Sequence, residues 1–228
     1  MTLPNRLLAE ALGTCLLVCT VVGSGIMADA LSDDVAVSLL GNTIPTGAIL
    51  FVLITILGPI SGAHFNPAVS LVMAIRGDLK WADLAPYAIV QSVGAIIGSL
   101  MAHGMFDLDI LQFSTKDRTG SSQWFAEGVA TFGLLLTILG GIRFRAQAIP
   151  MLVGLYITAA YWFTASTSFA NPAVTIGRAF TDTFAGINPA HVPGFIIAQI
   201  MGGLIAFALA KQLFAGTPED FEQERRTR

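Results

Sequence analysis

Asn66 and Asn171 are the two residues of this chain best placed to do chemistry, and each opens the same tripeptide, Asn66-Pro67-Ala68 and Asn171-Pro172-Ala173. A side-chain amide carries an acceptor oxygen and two N–H donors. Asparagine is a good N-cap, and proline is well placed in the first helical turn. Each Asn-Pro-Ala therefore starts a helix, with the Asn carbonyl holding the helix end and the amide donors turned outward. Two such amides facing one passage can bind the oxygens of a neutral solute and release them unchanged. The expected chemistry is selection without reaction.

The elements that carry these asparagines belong in a membrane. Hydrophobic residues make up 54% of the 228 residues, charged residues 12%, and mean hydropathy is +0.71. A soluble domain has about 25% charged residues. Six stretches are long and apolar enough to span a bilayer, at roughly Leu7–Ala28, Thr43–Ile60, Leu84–Met105, Trp124–Ile142, Ala148–Thr167 and Val192–Leu213. An even number of spans puts both termini on one face. With the termini inside, inner segments hold Arg6, Arg76, Lys80, Arg143, Arg145, Lys211, Arg225, Arg226 and Arg228, against Lys116, Arg118 and Arg178 outside. That is a positive-inside bias with cytoplasmic termini, and the chain is expected in a cell inner (plasma) membrane. The polar stretch 217–228 reads as a cytosolic tail.

An internal repeat organises the spans. Ala9-Glu10-Ala11-Leu12-Gly13-Thr14 matches Ala126-Glu127-Gly128-Val129-Ala130-Thr131, and Tyr87, Gln91 and Gly94 match Phe195, Gln199 and Gly202. The chain is one channel domain, 1–228, with repeats at about 5–105 and 122–214. Each half has three spans and one Asn-Pro-Ala loop, so the second half enters the membrane inverted, an arrangement that sets functional elements near the midplane.

The run from Pro67 to Arg76 is about ten residues, or roughly 15 Å of helix, half a bilayer. A second half-helix runs from Pro172 to about Asp182. Entering from opposite faces, the two would meet at their N-termini, where the positive dipole ends oppose cations and protons. Irregular backbone at that depth must line a cavity. Gly62, Ala63, His64 and Phe65 in one loop, and Thr167, Ser168, Phe169 and Ala170 in the other, would supply that lining with their carbonyls.

Ala-Glu-x-x-Gly-Thr, Ser61-Gly62-Ala63-His64-Phe65-Asn66-Pro67-Ala68-Val69 and the second Asn-Pro-Ala resemble the major intrinsic protein family, the aquaporins and aquaglyceroporins. The resemblance covers about residues 5–214. It implies an all-α integral membrane fold of six tilted helices plus two re-entrant half-helices, one pore per subunit, and a homotetramer.

Departures from the family pattern bear on the solute. The family usually has Arg directly after the second Asn-Pro-Ala, and this chain has Val174. The other filter positions are Thr46, Ser168 and, from the fifth span, either Tyr161 or Ala159, depending on the direction of counting. Thr167 stands where many members have Gly. Loss of the Arg removes a fixed charge and up to five donors. The implied filter is wide and uncharged, suited to arsenous acid, other metalloid hydroxides and glycerol-like polyols, with some water. The run from Thr164 to Thr175 is similar to a bacterial subgroup associated with arsenic resistance. The alternative is a water-selective aquaporin, with Tyr161 closing the pore. Arg178, one turn beyond Val174, is either a source of positive charge at the outer mouth or an interfacial anchor.

Other polar residues have plainer readings. Glu10 and Glu127 could relay protons, as in an ion- or proton-coupled transporter, but their symmetric placement suits hydrogen bonds to the Asn-Pro-Ala loops. His64 borders the first loop, and His103 and His191 lack metal-ligand spacing. Cys15 and Cys19, four apart on one helical face, are too far apart for a comfortable disulfide and read as packing residues. No nucleophile, phosphate-loop or zinc motif is present. The expectation is a channel, not an enzyme, with no cofactor, no metal and no nucleic-acid partner.

Overall fold

In the computed structural model, the described residues are 1–216, and the polar stretch 217–228 lies outside them. Eight α-helices follow in chain order: α1 Leu3–Leu31, α2 Val35–Ser61, α3 Pro67–Arg76, α4 Trp81–Met105, α5 Ser121–Phe144, α6 Ile149–Phe163, α7 Pro172–Arg178 and α8 Val192–Leu213. The described residues include no strand. Six of the helices are long and apolar enough to cross a membrane, with α6 counted together with the 3₁₀ turn before it, and α3 and α7 are short. Proline in the first turn of α1, α3, α6, α7 and α8 presets φ where no intrahelical N–H bond is lost.

The two halves pack alike. In the first, α1 lies against α2 and α4; in the second, α5 lies against α6 and α8. Between halves, α2 meets α6, α4 meets α7, and α3 meets α8. Contact within the halves is close because Gly94 of α4 faces the Ala11 carbonyl and Gly202 of α8 faces the Gly128 carbonyl. A methyl group at either glycine would overlap those oxygens. Small residues permit such backbone approach where lipid supplies no hydrophobic drive. At the face bearing the termini, Arg6 pairs with Asp83 at 2.9 Å and donates to the Tyr87 hydroxyl, which donates to the Ser61 carbonyl.

Three sequence boundaries need correction. The second span begins at Val35 and not near Thr43, with Asp34 capping it by accepting from the Ala36 N–H at 2.8 Å. Its first turns hold Ser38 and Asn42, polar but buried, and the Asn42 amide donates to the Val21 carbonyl and the Ser24 hydroxyl. The fifth span ends at Phe163, because Thr164 is extended (φ −108°, ψ 133°). The second half-helix stops at Arg178, short of Asp182. The Arg178 carbonyl accepts from Ile187 N–H, and the Ala179 carbonyl from Ser114 N–H, so loop segments take the acceptors that a further turn would need.

Candidate functional site

Each half-helix is opened as the sequence requires. Asn66 and Asn171 are extended (φ −155° and −158°), and their side-chain oxygens accept from the next helical N–H groups. Asn66 Oδ1 takes Ala68 N–H at 2.9 Å and Val69 N–H at 3.4 Å. Asn171 Oδ1 takes Ala173 N–H at 2.9 Å and Val174 N–H at 3.2 Å. The amides do more than face the lumen. Asn66 Nδ2 donates to the Ala170 carbonyl and Asn171 Nδ2 donates to the Phe65 carbonyl, each at 2.7 Å. Of the two N–H donors on each amide, one ties the loops together.

The loops that present these asparagines hold unusual backbone. Ala63, Phe65, Ser168 and Ala170 have φ of 49–50°, and Gly62 and Thr167 have φ of 93° and 62°. The left-handed region costs glycine nothing but is an outlier for β-branched threonine. Counted back from each asparagine, the positions correspond: Gly62 with Thr167, Ala63 with Ser168, Phe65 with Ala170. The glycine of the first loop thus has a strained threonine as its counterpart in the second.

Two buried carboxylates hold the loops in this shape. Glu10 of α1 accepts from His64 N–H at 2.9 Å, Phe65 N–H at 2.6 Å, the Ser61 hydroxyl at 2.7 Å and the Gln91 amide at 2.8 Å. Glu127 of α5 accepts from Phe169 N–H at 2.9 Å, Ala170 N–H at 2.8 Å and the Gln199 amide at 2.6 Å. Both are fully buried. Charge-assisted bonds to backbone N–H are strong, and here they offset the cost of burying each carboxylate. Gln91 and Gln199 also donate to Ser70 and Thr175, the matching hydroxyls of α3 and α7.

A continuous cavity of about 630 Å³ runs past these loops. Arg6, Arg76 and Lys80 line it at the face bearing the termini, and Asn66 and Asn171 line its middle. Gly62, Ala63, His64 and Phe65 contribute from the first loop, and Ser168, Phe169 and Ala170 from the second. Thr167 does not line it, and Pro67, Ala68, Pro172 and Ala173 serve as helix starts behind the wall. Hydrocarbon side chains such as Leu17, Leu50 and Val153 form much of the rest.

The four filter positions named from sequence can be placed. Thr46, Ser168 and Val174 line the cavity and are buried, as is Tyr161. Tyr161 reaches Thr46, with the two hydroxyls 3.4 Å apart. Ala159, the other reading of the fifth span, is exposed on the outer side of α6 and does not reach the cavity. The Ser168 hydroxyl is buried with no hydrogen-bond partner.

Arg178 is the residue whose place the sequence did not give. It is only 1% exposed, so it is no interfacial anchor. Its guanidinium lies over Phe169, with Cζ 3.4 Å from the ring centroid, and its Nε donates to the Ala185 carbonyl. Arg118, from the segment between α4 and α5, approaches the same ring at 5.2 Å and donates to the Gly186 and Ser166 carbonyls. The i, i+4 spacing of Val174 and Arg178 puts both on one face of α7. That spacing was the available signal, but nothing in it disclosed Phe169 as a platform.

Cys15 and Cys19 are buried free thiols, and the Cys15 thiol lies 3.4 Å from the Met101 sulfur in the packing of α1 on α4. His64 Nδ1 is 3.0 Å from the Ser70 hydroxyl. His103 lies between the Ile110 carbonyl and the Thr181 hydroxyl.

Comparison with known proteins fits this geometry. The profile of the major intrinsic proteins ("Major intrinsic protein") matches residues 1–168. Aquaglyceroporin AqpS of Rhizobium meliloti is 64% identical over 211 residues, covering 92% of this chain and 91% of the relative. Glycerol uptake facilitator protein-like 6 of Lactiplantibacillus plantarum is 31% identical, covering 91% and 97%. The X-ray structure of the aquaglyceroporin from Plasmodium falciparum superposes with a TM-score of 0.73 at 20% identity, covering 94% of this chain and 98% of that one, a likeness of fold. With its six spans, two facing half-helices and paired asparagines, the chain belongs to the major intrinsic protein family.

Proposed function

We propose that this protein is a passive channel for small uncharged solutes: arsenous acid and other metalloid hydroxides, glycerol-like polyols and some water. The observation that carries the reading is Val174, an apolar side chain on the cavity wall directly after the second Asn-Pro-Ala. Solutes would pass Asn66 and Asn171 in single file, accepting the one free N–H of each amide. Glu10 and Glu127 are engaged by the loops they hold, a structural role that favours a channel over a proton-coupled transporter. Flux direction is then set by the gradient alone. The names of AqpS and of the glycerol facilitator relative point the same way.

We place the protein in the cell inner membrane as a homotetramer, with both termini cytoplasmic. The arginines and lysine at the termini's end of the cavity support that orientation.

A second reading, a water-selective pore, draws on Tyr161. Its hydroxyl lies 3.4 Å from that of Thr46, and both residues line the cavity that Val174 also lines. Stopped-flow light scattering of proteoliposomes for water and glycerol, with arsenous acid influx assayed on the same preparation, decides between the two. Fast entry of glycerol and arsenous acid supports the wide filter. Fast water with neither solute gives the water-selective pore.

A further inference from the structure

Arg178 has a charge and a donor to spare. It is buried, yet no carboxylate lies within ion-pair distance of it, and the ion pairs among the described residues are Arg6–Asp83, Arg76–Asp78 and His191–Asp117. Glu127 already serves Phe169, Ala170 and Gln199. Asp182 serves Thr115. The one side-chain acceptance from Arg178 is by the Ala185 carbonyl, and its Nη1 is buried without any partner. Arg118 and Arg178 share the Phe169 ring, so the local field is positive. Lys116, beside them on the outer loop, is held below the ordinary lysine range, first by burial and then by Arg118 and Arg178. A buried charge left without a partner is costly. A pore wall that carries one is completed by what passes through.

Position supports this. Arg178 and Val174, one turn apart on α7, both line the cavity. The Ser168 hydroxyl, also buried without a partner, lines the same cavity. We propose that Arg178, with Ser168, is the acceptor-oxygen site of the outer constriction, supplying from one turn further out the donor and positive charge that Val174 does not. Its ligands are solutes with accepting oxygens, whether neutral polyols or small monovalent oxyanions. A planar fork of donors suits either. The inference rests on the channel reading and adds a selectivity residue to it.

The test uses the full chain in proteoliposomes, reading glycerol and water permeability in potassium gluconate and in potassium nitrate of equal ionic strength. Arg178→Gln, which removes the charge and shortens the side chain, should lower the glycerol-to-water ratio by roughly fivefold, one lost hydrogen bond in the barrier. Ser168→Ala should lower it by about twofold. If nitrate occupies the site, it slows glycerol in the wild type and in Arg178→Lys but not in Arg178→Gln. A lowered ratio without nitrate slowing assigns the site to neutral oxygens only. An unchanged or raised ratio in Arg178→Gln, with water flux intact, overturns the proposal, and a raised ratio would make Arg178 a steric plug. Should that variant not reconstitute, an unchanged ratio in Ser168→Ala overturns it instead. A wild type that passes neither water nor glycerol sinks the channel reading itself, which an Arg178 effect alone cannot do.

Discussion

Asn66 and Asn171 are each bonded to the residue preceding the other: Asn66 to the Ala170 carbonyl and Asn171 to the Phe65 carbonyl, both at 2.7 Å. This reciprocal clasp fixes the distance between the half-helix ends and sets the direction of the amide donors left over. Asn171→Ala leaves the Phe65 carbonyl and the Ala173 and Val174 N–H groups unpaired at once. The loss should be about 2 kcal/mol or more. Thermal unfolding in detergent should show a lowered midpoint, and proteoliposomes should show reduced water flux. An unchanged midpoint would mean the clasp carries no stability.

The carboxylate supports should be more sensitive still. Glu127→Ala strands the N–H groups of Phe169 and Ala170 and the amide of Gln199 in a buried site. A cost of about 3 kcal/mol or more is expected, whereas Glu127→Gln retains one acceptor and should be milder. Folded yield on size-exclusion chromatography orders the two variants, and the reverse order would refute the support role.

Val174→Arg restores to α7 the residue usual in the family. It should narrow the outer constriction and cut glycerol permeability about tenfold, roughly 1.4 kcal/mol in the barrier, with a smaller effect on water. Equal loss of both solutes, or no loss, in stopped-flow traces would take residue 174 out of the constriction.

Thr167 offers a test in the stabilising direction. Its φ of 62° is unfavourable for a β-branched residue, and its counterpart in the first loop is Gly62. Thr167→Gly should raise the unfolding midpoint by an amount corresponding to about 1 kcal/mol. It should leave water flux unchanged, because Thr167 does not line the cavity. A lowered midpoint would show that the side chain's packing outweighs the strain.

Much of this architecture was legible because membrane segments and loop chemistry leave strong local marks. Asn66-Pro67 and Asn171-Pro172 announce capped helix starts, and α3 runs from Pro67 to Arg76 as its length required. The symmetric glutamates reach both loops, as their placement suggested. Span boundaries were harder to read where polarity and burial disagree. Ser38 and Asn42 look like loop residues but turn inward, where the Val21 carbonyl and the Ser24 hydroxyl accept from the Asn42 amide. Counting alone left Tyr161 and Ala159 open, since it does not say which helical face turns to the cavity. The end of α7 and the burial of Arg178 depend on contacts with the segments 106–120 and 179–188, which no local pattern encodes.

The division of labour among these bonds also orders the assembly of the molecule in time. Glu10 and Gln91 support the loop of their own half, so the first loop can be held as soon as α1 and α4 have met. The amide of Asn66 has no such local partner: its acceptor is Ala170, far along the chain. Synthesis proceeds from the N-terminus, so the brace of the first loop can form before the acceptor of Asn66 has been made. The clasp between the half-helices waits for the last third of the protein, and the cavity wall that Ser168, Asn171 and Val174 supply waits with it.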